Sequence, residues 1–363
     1  MNIQPLHGVR ILDFSTLLPG PLASLILAEA GAEVIKVERP NGGDDMRRFA
    51  PEFGADSGCF ALLNRGKKSV TINLKDAAQR EQVVQMVRKS DIVIEQFRPG
   101  VMERLGLGYE VLREANPRIV YCSITGYGQN GPKVQLAGHD LNYLAETGML
   151  SLSCDSEGRP VLPPGLIADI GGGALPAVLN ILLALRHVES TGAGCKLDIS
   201  MSDNIFAWQY TALALASTGR QAKSGGELNT GGSPRYQVYR TSDDRFIAAA
   251  PMEKIFWDNF CDAIGLEPAL REDLADPAKT IAAVEKIIVQ RTSAEWQQIF
   301  SGRDVCASMV LSTKEALADS HFRARGLFEP TVRSGDRTMP ALPVPIAPIF
   351  KQPPDCKSSP DYV

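Results

Sequence analysis

The feature that most constrains this chain is the alternation of short β-branched runs with helical stretches over its first 125 residues. Val9 to Phe14 reads as a buried strand. Leu18-Pro19-Gly20-Pro21 breaks it, Leu22 to Ala30 reads as a helix stopped by Gly31, and Glu33 to Glu38 is the next strand. A β-α-β unit of this kind belongs to a parallel sheet covered by helices. The alternation continues through strand Lys67 to Leu74, helix Asp76 to Ser90 with Asp76 as N-cap, and strand Asp91 to Phe97. A helix over Tyr109 to Ala115 and a strand over Arg118 to Thr125 follow. The pattern predicts an α/β, doubly wound fold. No Gly-x-Gly-x-x-Gly lies between the first strand and helix, so a dinucleotide site lacks its key motif.

Further on, Ala174 to His187 is almost entirely apolar and is expected to be a buried helix. Lys196 to Ser200 reads as a strand and Met201 to Ser217 as one long helix. Thr218 to Pro234 is rich in Gly and Ser and reads as a linker or mobile loop. A hairpin around Ser242-Asp243-Asp244 and several helical segments come next. These signals divide the chain into a large domain over residues 1–224, a small domain over 225–323, and a C-terminal extended segment over 324–363 that returns to the large domain. Its Pro-rich part runs from Thr338 to Pro354.

A net charge of −4 gives no support to a nucleic-acid or anionic-membrane partner. The seven cysteines are scattered, with no Cys-x-x-Cys, which points away from a disulfide framework or zinc site and toward a reducing cytoplasm. The N-terminus has no basic region followed by an apolar run, and Ala174 to Leu185 is too short to span a bilayer. The C-terminal Asp361-Tyr362-Val363 is not a usual peroxisomal address.

Two places carry candidate chemistry. Gly138-His139-Asp140-Leu141-Asn142-Tyr143 sets a histidine, a carboxylate and an amide in a turn opened by glycine. Asp169 precedes Gly171-Gly172-Gly173 at the start of the apolar helix. An aspartate there is ordinarily an N-cap. Three glycines at a helix start are costly unless a ligand or another backbone comes close, which favours function. His139 and Asp169 thus form a candidate acid–base pair that only the fold can bring together. Glu253 is by its own chemistry a solvated surface carboxylate. Arg39, Lys67, Lys68, Lys75, Arg98 and Arg104 fall near the ends of predicted strands, where an open α/β sheet binds ligands and where cations suit phosphates.

Several motifs taken together resemble the CaiB/BaiF group, the family III CoA-transferase superfamily. They are Leu6-x-Gly8-x-Arg10-Ile11-Leu12-Asp13, Pro19-Gly20-Pro21, the run from Gly31 to Pro40, Phe97-Arg98-Pro99-Gly100, Arg104-Leu105-Gly106 and the run from Gly126 to Pro132. Gly138 to Tyr143 looks like the α-methylacyl-CoA racemase branch, since the transferase branch typically keeps only the aspartate matching Asp169, as nucleophile. The resemblance implies His139 and Asp169 as the catalytic pair and adds Glu253. Lys254 departs from the proline more usual after that glutamate. The resemblance implies CoA contacts at Arg39, Leu74, Lys75, Arg98 and Arg104, with coenzyme A entering as part of the substrate and no prosthetic group; the chemistry requires no metal, and no His/Cys cluster offers one. The resemblance also implies a large Rossmann-like parallel-sheet CoA-binding domain, a smaller α+β domain, and an interlocked homodimer.

The expected reaction is racemisation beside a CoA thioester through an enolate, His139 and Asp169 exchanging the roles of base and acid. Donors for the thioester oxygen are expected among the backbone N–H groups after Asp169 or near Asp140. The alternative is CoA transfer between carboxylic acids with Asp169 as nucleophile. A CoA-ester binding protein without activity is a third reading. Met149, Met201, Met252 and the Gly-rich segment are candidates for an acyl pocket.

Overall fold

The computed structural model describes residues 3–351 and 355–362. Residues 352–354 of the expected Pro-rich tail, like the extreme termini, lie outside the described residues. The chain forms two compact units. The larger comprises Met1–Thr147, Pro163–Trp208 and His321–Val363, and the smaller comprises Gly148–Leu162 and Gln209–Ser320. The smaller unit therefore begins well before Gly225 and takes in a segment from the middle of the chain.

The large unit is built on six parallel strands: β1 Arg10–Asp13, β2 Glu33–Glu38, β3 Lys68–Thr71, β4 Ile92–Glu95, β5 Val120–Thr125 and β6 Cys195–Ser200. Their spatial order is β3-β2-β1-β4-β5-β6. The order reverses between β1 and β4, and ligands of open α/β sheets bind beyond the carboxyl ends of the strands at such a point. β4 is buried along its whole length, as a central strand covered on both faces must be.

The helix Pro19–Glu29 follows β1 directly, with proline in its first turn and every residue buried. Gly31, at φ +109, turns the chain into β2. Asp76 caps the helix Ala77–Val87 by accepting the Gln79 N–H at 3.0 Å.

Two expectations need correction. The helix Leu175–Thr191 is not buried all round. Ala177, Ile181, Ala184 and Val188 form its buried stripe, while Leu179 and Leu183 are 59% and 61% exposed. A single stripe faces the unit's interior, and uniform apolarity cannot say which side is covered. With the turn before it, this helix extends over Ala168–Thr191, long and apolar enough by length and composition to cross a membrane. The second correction concerns Met201 to Ser217, which is broken into Met201–Ile205, a 3-10 turn Phe206–Gln209, and Tyr210–Ala216. The two units meet in the chain at this break.

The C-terminal segment belongs to the large unit as a small sheet of Thr331–Ser334, Arg337–Pro340 and Cys356–Ser358. The Arg65 guanidinium donates to the Leu342 carbonyl at 2.7 Å, and Gly66 N–H to Ser358 at 2.9 Å, fastening it. The small unit has its own three-stranded antiparallel sheet, Gln237–Arg240, Phe246–Ala249 and Ala307–Met309. Trp257, Phe260, Trp296 and Phe300 stack in its core. Both indole N–H groups are satisfied, by the carbonyls of Arg271 and Ile288.

Candidate active site

His139 is the residue before the helix Asp140–Glu146, and its N–H donates to Asn142 Oδ1 at 3.0 Å. The turn that presents it is set by Tyr143. The tyrosine hydroxyl donates to the Gly138 carbonyl at 2.6 Å. A Cβ at Gly138 or Gly126 would come within 2.8 or 2.5 Å of the Tyr143 ring, so both glycines are steric requirements.

Asp169 lies inside a π-helical turn, Ala168–Ala174, not at a cap position. Such turns are uncommon and cluster at functional sites. The glycines after it are needed because neighbouring structure comes close. A Cβ on Gly172 would stand 2.4 Å from the Met201 carbonyl oxygen, and one on Gly171 2.4 Å from the Trp208 ring. The Asn204 amide donates to the Gly172 carbonyl at 2.8 Å. Gly172→Ala must push backbone against backbone, and a loss of roughly 1–3 kcal/mol of stability is expected in urea unfolding. A change below about 0.5 kcal/mol would mean the packing relaxes freely.

The two places are tied together by Asp140. Its buried Oδ1 accepts the N–H groups of Ala168 at 2.6 Å and Asp169 at 3.0 Å. The Ile170 N–H goes to the Leu166 carbonyl at 3.0 Å. All three donors are engaged within the protein, and of the thioester-oxygen donors expected after Asp169 the Ile170 N–H is thereby corrected. Burial raises the pKa of Asp169 to about 7, helped by the negative charge of Asp140. Burial also raises that of Asp140, against the two N–H groups that favour its charged form.

His139 and Asp169 line one cavity of about 450 Å³, with Gln96, Phe97, Arg98, Thr125, Asn142, Tyr143 and Met201 on its walls. It opens beyond β1 and β4, where the strand order reverses. A second cavity of about 380 Å³ is lined by Arg39, Leu74, Lys75, Val101 and Leu105, and Phe97 stands in the walls of both. Three of the five expected CoA contacts thus share the second cavity, and Arg98 lies in the first. Arg104 lines neither. It ends the helix Val101–Arg104 and borders a groove with Arg80 and Arg88.

The charges of the second cavity are largely paired. Lys36 meets Asp44 at 2.9 Å, and Arg39 is bonded to Asp45. Among the described residues no ion pair engages Lys75.

Lys67 and Lys68 stand at the amino end of β3 and line neither cavity. Lys67 is fully buried on Asn64, the Pro21 carbonyl and Asp13, and burial lowers its ammonium to about 7 despite Asp13. Lys68 pairs with Glu33 at 2.5 Å on the surface.

Glu253 stands in the small unit, before the helix Lys254–Ile264, exposed and making no side-chain cap. Lys254 pairs with Asp258 at 2.6 Å. Met149 and Met252 also belong to the small unit, leaving Met201 as the methionine on the cavity wall.

A Rossmann-ordered sheet with His139 and Asp169 in one cavity at its switch point, and Arg39 and Lys75 in a neighbouring cavity, defines an α/β protein with a ligand crevice of the doubly wound kind. The comparisons place it more closely: residues 6–359 match the model of CoA-transferase family III, and the chain belongs to that family. It is 34% identical to human alpha-methylacyl-CoA racemase over 363 residues, 96% of this chain and 90% of that one. It is 33% identical to acetyl-CoA:oxalate CoA-transferase of Acetobacter aceti, over 94% of this chain and 89% of that one. The fold is similar to the crystal structure of a CAIB/BAIF family protein from Brucella suis, with TM-score 0.81 and 27% identity, covering 98% of this chain and 97% of that one. Racemases and transferases resemble the chain about equally, so identity does not choose the reaction.

Proposed function

We propose that the protein interconverts the epimers of 2-methylacyl-CoA thioesters by 1,1-proton transfer, with His139 and Asp169 as the acid–base pair. The observation that carries this reading is that both side chains line one cavity while Asp169 is shifted to about 7. A carboxyl group titrating near neutrality is populated in both protonation states, so it can take a proton in one direction and give one in the other. A nucleophile for CoA transfer is favoured by staying ionised, which burial and Asp140 here oppose.

In the forward direction His139 removes the α-proton and the electron pair moves onto the thioester oxygen. Asp169 then delivers its proton to the α-carbon and is left ionised. In reverse the roles exchange. Gln96 is a candidate donor to the enolate oxygen: its side-chain oxygen is held by the Gly20 N–H at 3.1 Å, leaving its amide hydrogens to donate. Glu253 is carried into this reading by the resemblance alone.

The acyl end is assigned to the first cavity and the CoA end to the second, by way of Phe97 and Arg98. Arg104 is kept as a CoA contact from the resemblance alone. Lys75→Ala is expected to raise KM for an acyl-CoA by roughly 10- to 100-fold, the cost of one charge-assisted bond to phosphate, with kcat much less changed. The matching pantetheine thioester, which has no phosphates of the nucleotide, should show no such difference. A loss confined to kcat would remove Lys75 from the CoA site.

The protein is further proposed to act in the cytoplasm as an interlocked homodimer. The exposed leucines of helix Leu175–Thr191 support a covering second copy. The reaction itself is tested by chiral analysis of one 2-methylacyl-CoA epimer incubated without any acceptor acid. Formation of the other epimer is expected. Inert epimers together with CoA movement to added oxalate or glutarate would make the protein a transferase.

A further inference from the structure

The interior of a parallel sheet is normally apolar on both faces, because helices cover both. One face of this sheet departs from that at its β4–β6 end, beside the apolar cluster of Leu12, Val93 and the Tyr121 ring. Along β5, Tyr121, Ser123 and Thr125 alternate onto the same face. Glu95 of β4 is the register partner of Ser123, and Lys196 and Asp198 of β6 are partners of Tyr121 and Ser123. Six polar side chains therefore share a face whose reverse carries Ile94, Cys122, Ile124, Leu197 and Ile199; Glu95, Tyr121, Ser123 and Thr125 are buried, while Lys196 and Asp198, on the edge strand, are exposed.

Among the described residues the Tyr121 and Thr125 hydroxyls and the Gln129 amide nitrogen are buried without a hydrogen-bond partner. Buried polar groups of this kind normally hold ordered water, and each asks for an explanation.

The row has two ends. Thr125 is in the wall of the cavity that holds His139 and Asp169. At the other end Lys196 and Glu103, both partly exposed, form an ion pair of 3.4 Å. Glu95 sits between them, 4% exposed. Burial raises its carboxyl to about 7, opposed by the Ser123 hydroxyl, the Phe97 N–H and the charge of Lys196, and helped by Glu103. Residues two apart on a strand are about 6–7 Å apart, a gap that one or two waters bridge.

We propose that this polar face is a water-filled proton path joining the Lys196–Glu103 ion pair at the surface to the cavity wall at Thr125, with Glu95 as its proton-carrying group. The inference rests on the acid–base reading above. Each forward turnover leaves His139 with an extra proton and Asp169 without one. Before the next turnover His139 must lose a proton to water and Asp169 must gain one. A path through the cavity wall lets protons move while a bound thioester blocks the mouth. Glu95 passes its proton through the chain of waters to the cavity and regains one from solvent water at the ion pair, so no net charge accumulates. Glu95 does not touch the substrate.

The test compares the first turnover, measured with enzyme in excess, with steady-state epimerisation in wild type, Glu95→Gln and Thr125→Val. Glutamine still accepts the Phe97 N–H but carries no titrating proton. Valine removes an unpartnered hydroxyl, which protein folds tolerate well. Both variants are expected to lose about tenfold or more in steady-state kcat, to slow far less in the first turnover, and to regain kcat with added imidazole. Equal losses in both phases, no loss, or a loss that imidazole does not restore would overturn the path. Should Glu95→Gln fail to fold, Thr125→Val carries the same test. Wild-type enzyme that exchanges no α-proton would instead overturn the acid–base reading, and the path with it.

Discussion

His139→Ala is expected to lower epimerisation of 2-methylacyl-CoA by about 10²- to 10⁴-fold, the usual contribution of one positioned proton-transfer group. The turn is held by the backbone N–H of His139 on Asn142 and by Tyr143 on Gly138, and neither bond uses the imidazole. The variant should therefore fold and bind acyl-CoA with a nearly unchanged affinity. Asp169→Asn is expected to fall by a similar factor. The double variant should lose little beyond the worse single one, because both groups serve the same transfer. The comparison is made on kcat/KM in both directions, with acyl-CoA binding measured separately. Retention of more than about a tenth of the wild-type rate in His139→Ala would remove it from the reaction.

The second large effect concerns Asp169 and pH. Its folded pKa, about 7, lies above the ordinary 3.8. Between those values the folded protein binds more protons than the unfolded chain. Stability is then full below the ordinary value and is lost as pH rises through about 7. Each unit of separation is worth about 1.4 kcal/mol, so ionised Asp169 costs roughly 2–4 kcal/mol at about pH 9 after allowing for partial solvent access. Asp169→Asn, which never ionises, should be more stable than wild type by about that amount at pH 9 and by little at about pH 4. Urea unfolding at the two values checks this, and equal differences at both would show that Asp169 is not shifted.

Asp140→Asn keeps the two backbone bonds and removes the charge. It should move the Asp169 limb of the pH–rate profile toward lower pH.

The alternation of β-branched runs and helices made the large sheet legible, because strands buried on both faces are short, apolar and evenly spaced. Glu33–Glu38 and Tyr109–Ala115 have the bounds their patterns imply. The break at Phe206–Gln209 was not legible, since each piece keeps helical spacing and only the departure into another unit separates them. Lys67 read as a strand-end cation open to a ligand, because nothing local announces that Asn64, Pro21 and Asp13 enclose it. His139 and Asp169 were legible as candidates by residue type and by the glycines beside them. The role of Asp140 was not, for its partners are the backbone N–H groups of Ala168 and Asp169, far along the chain. Its position next to His139 was the available signal. Glu95 carried no sequence signal at all: it closes an apolar strand, and its interest comes from the polar row that β5 and β6 set beside it.

The central claim, that His139 and Asp169 move the α-proton, is tested most directly by incubating a single epimer of a 2-methylacyl-CoA in D2O with no acceptor acid and following the α-position by mass spectrometry or proton NMR. Deuterium should enter at the α-carbon together with loss of configuration, and His139→Ala should abolish both. An α-proton that stays in place while wild-type enzyme moves CoA to an added carboxylate would contradict it.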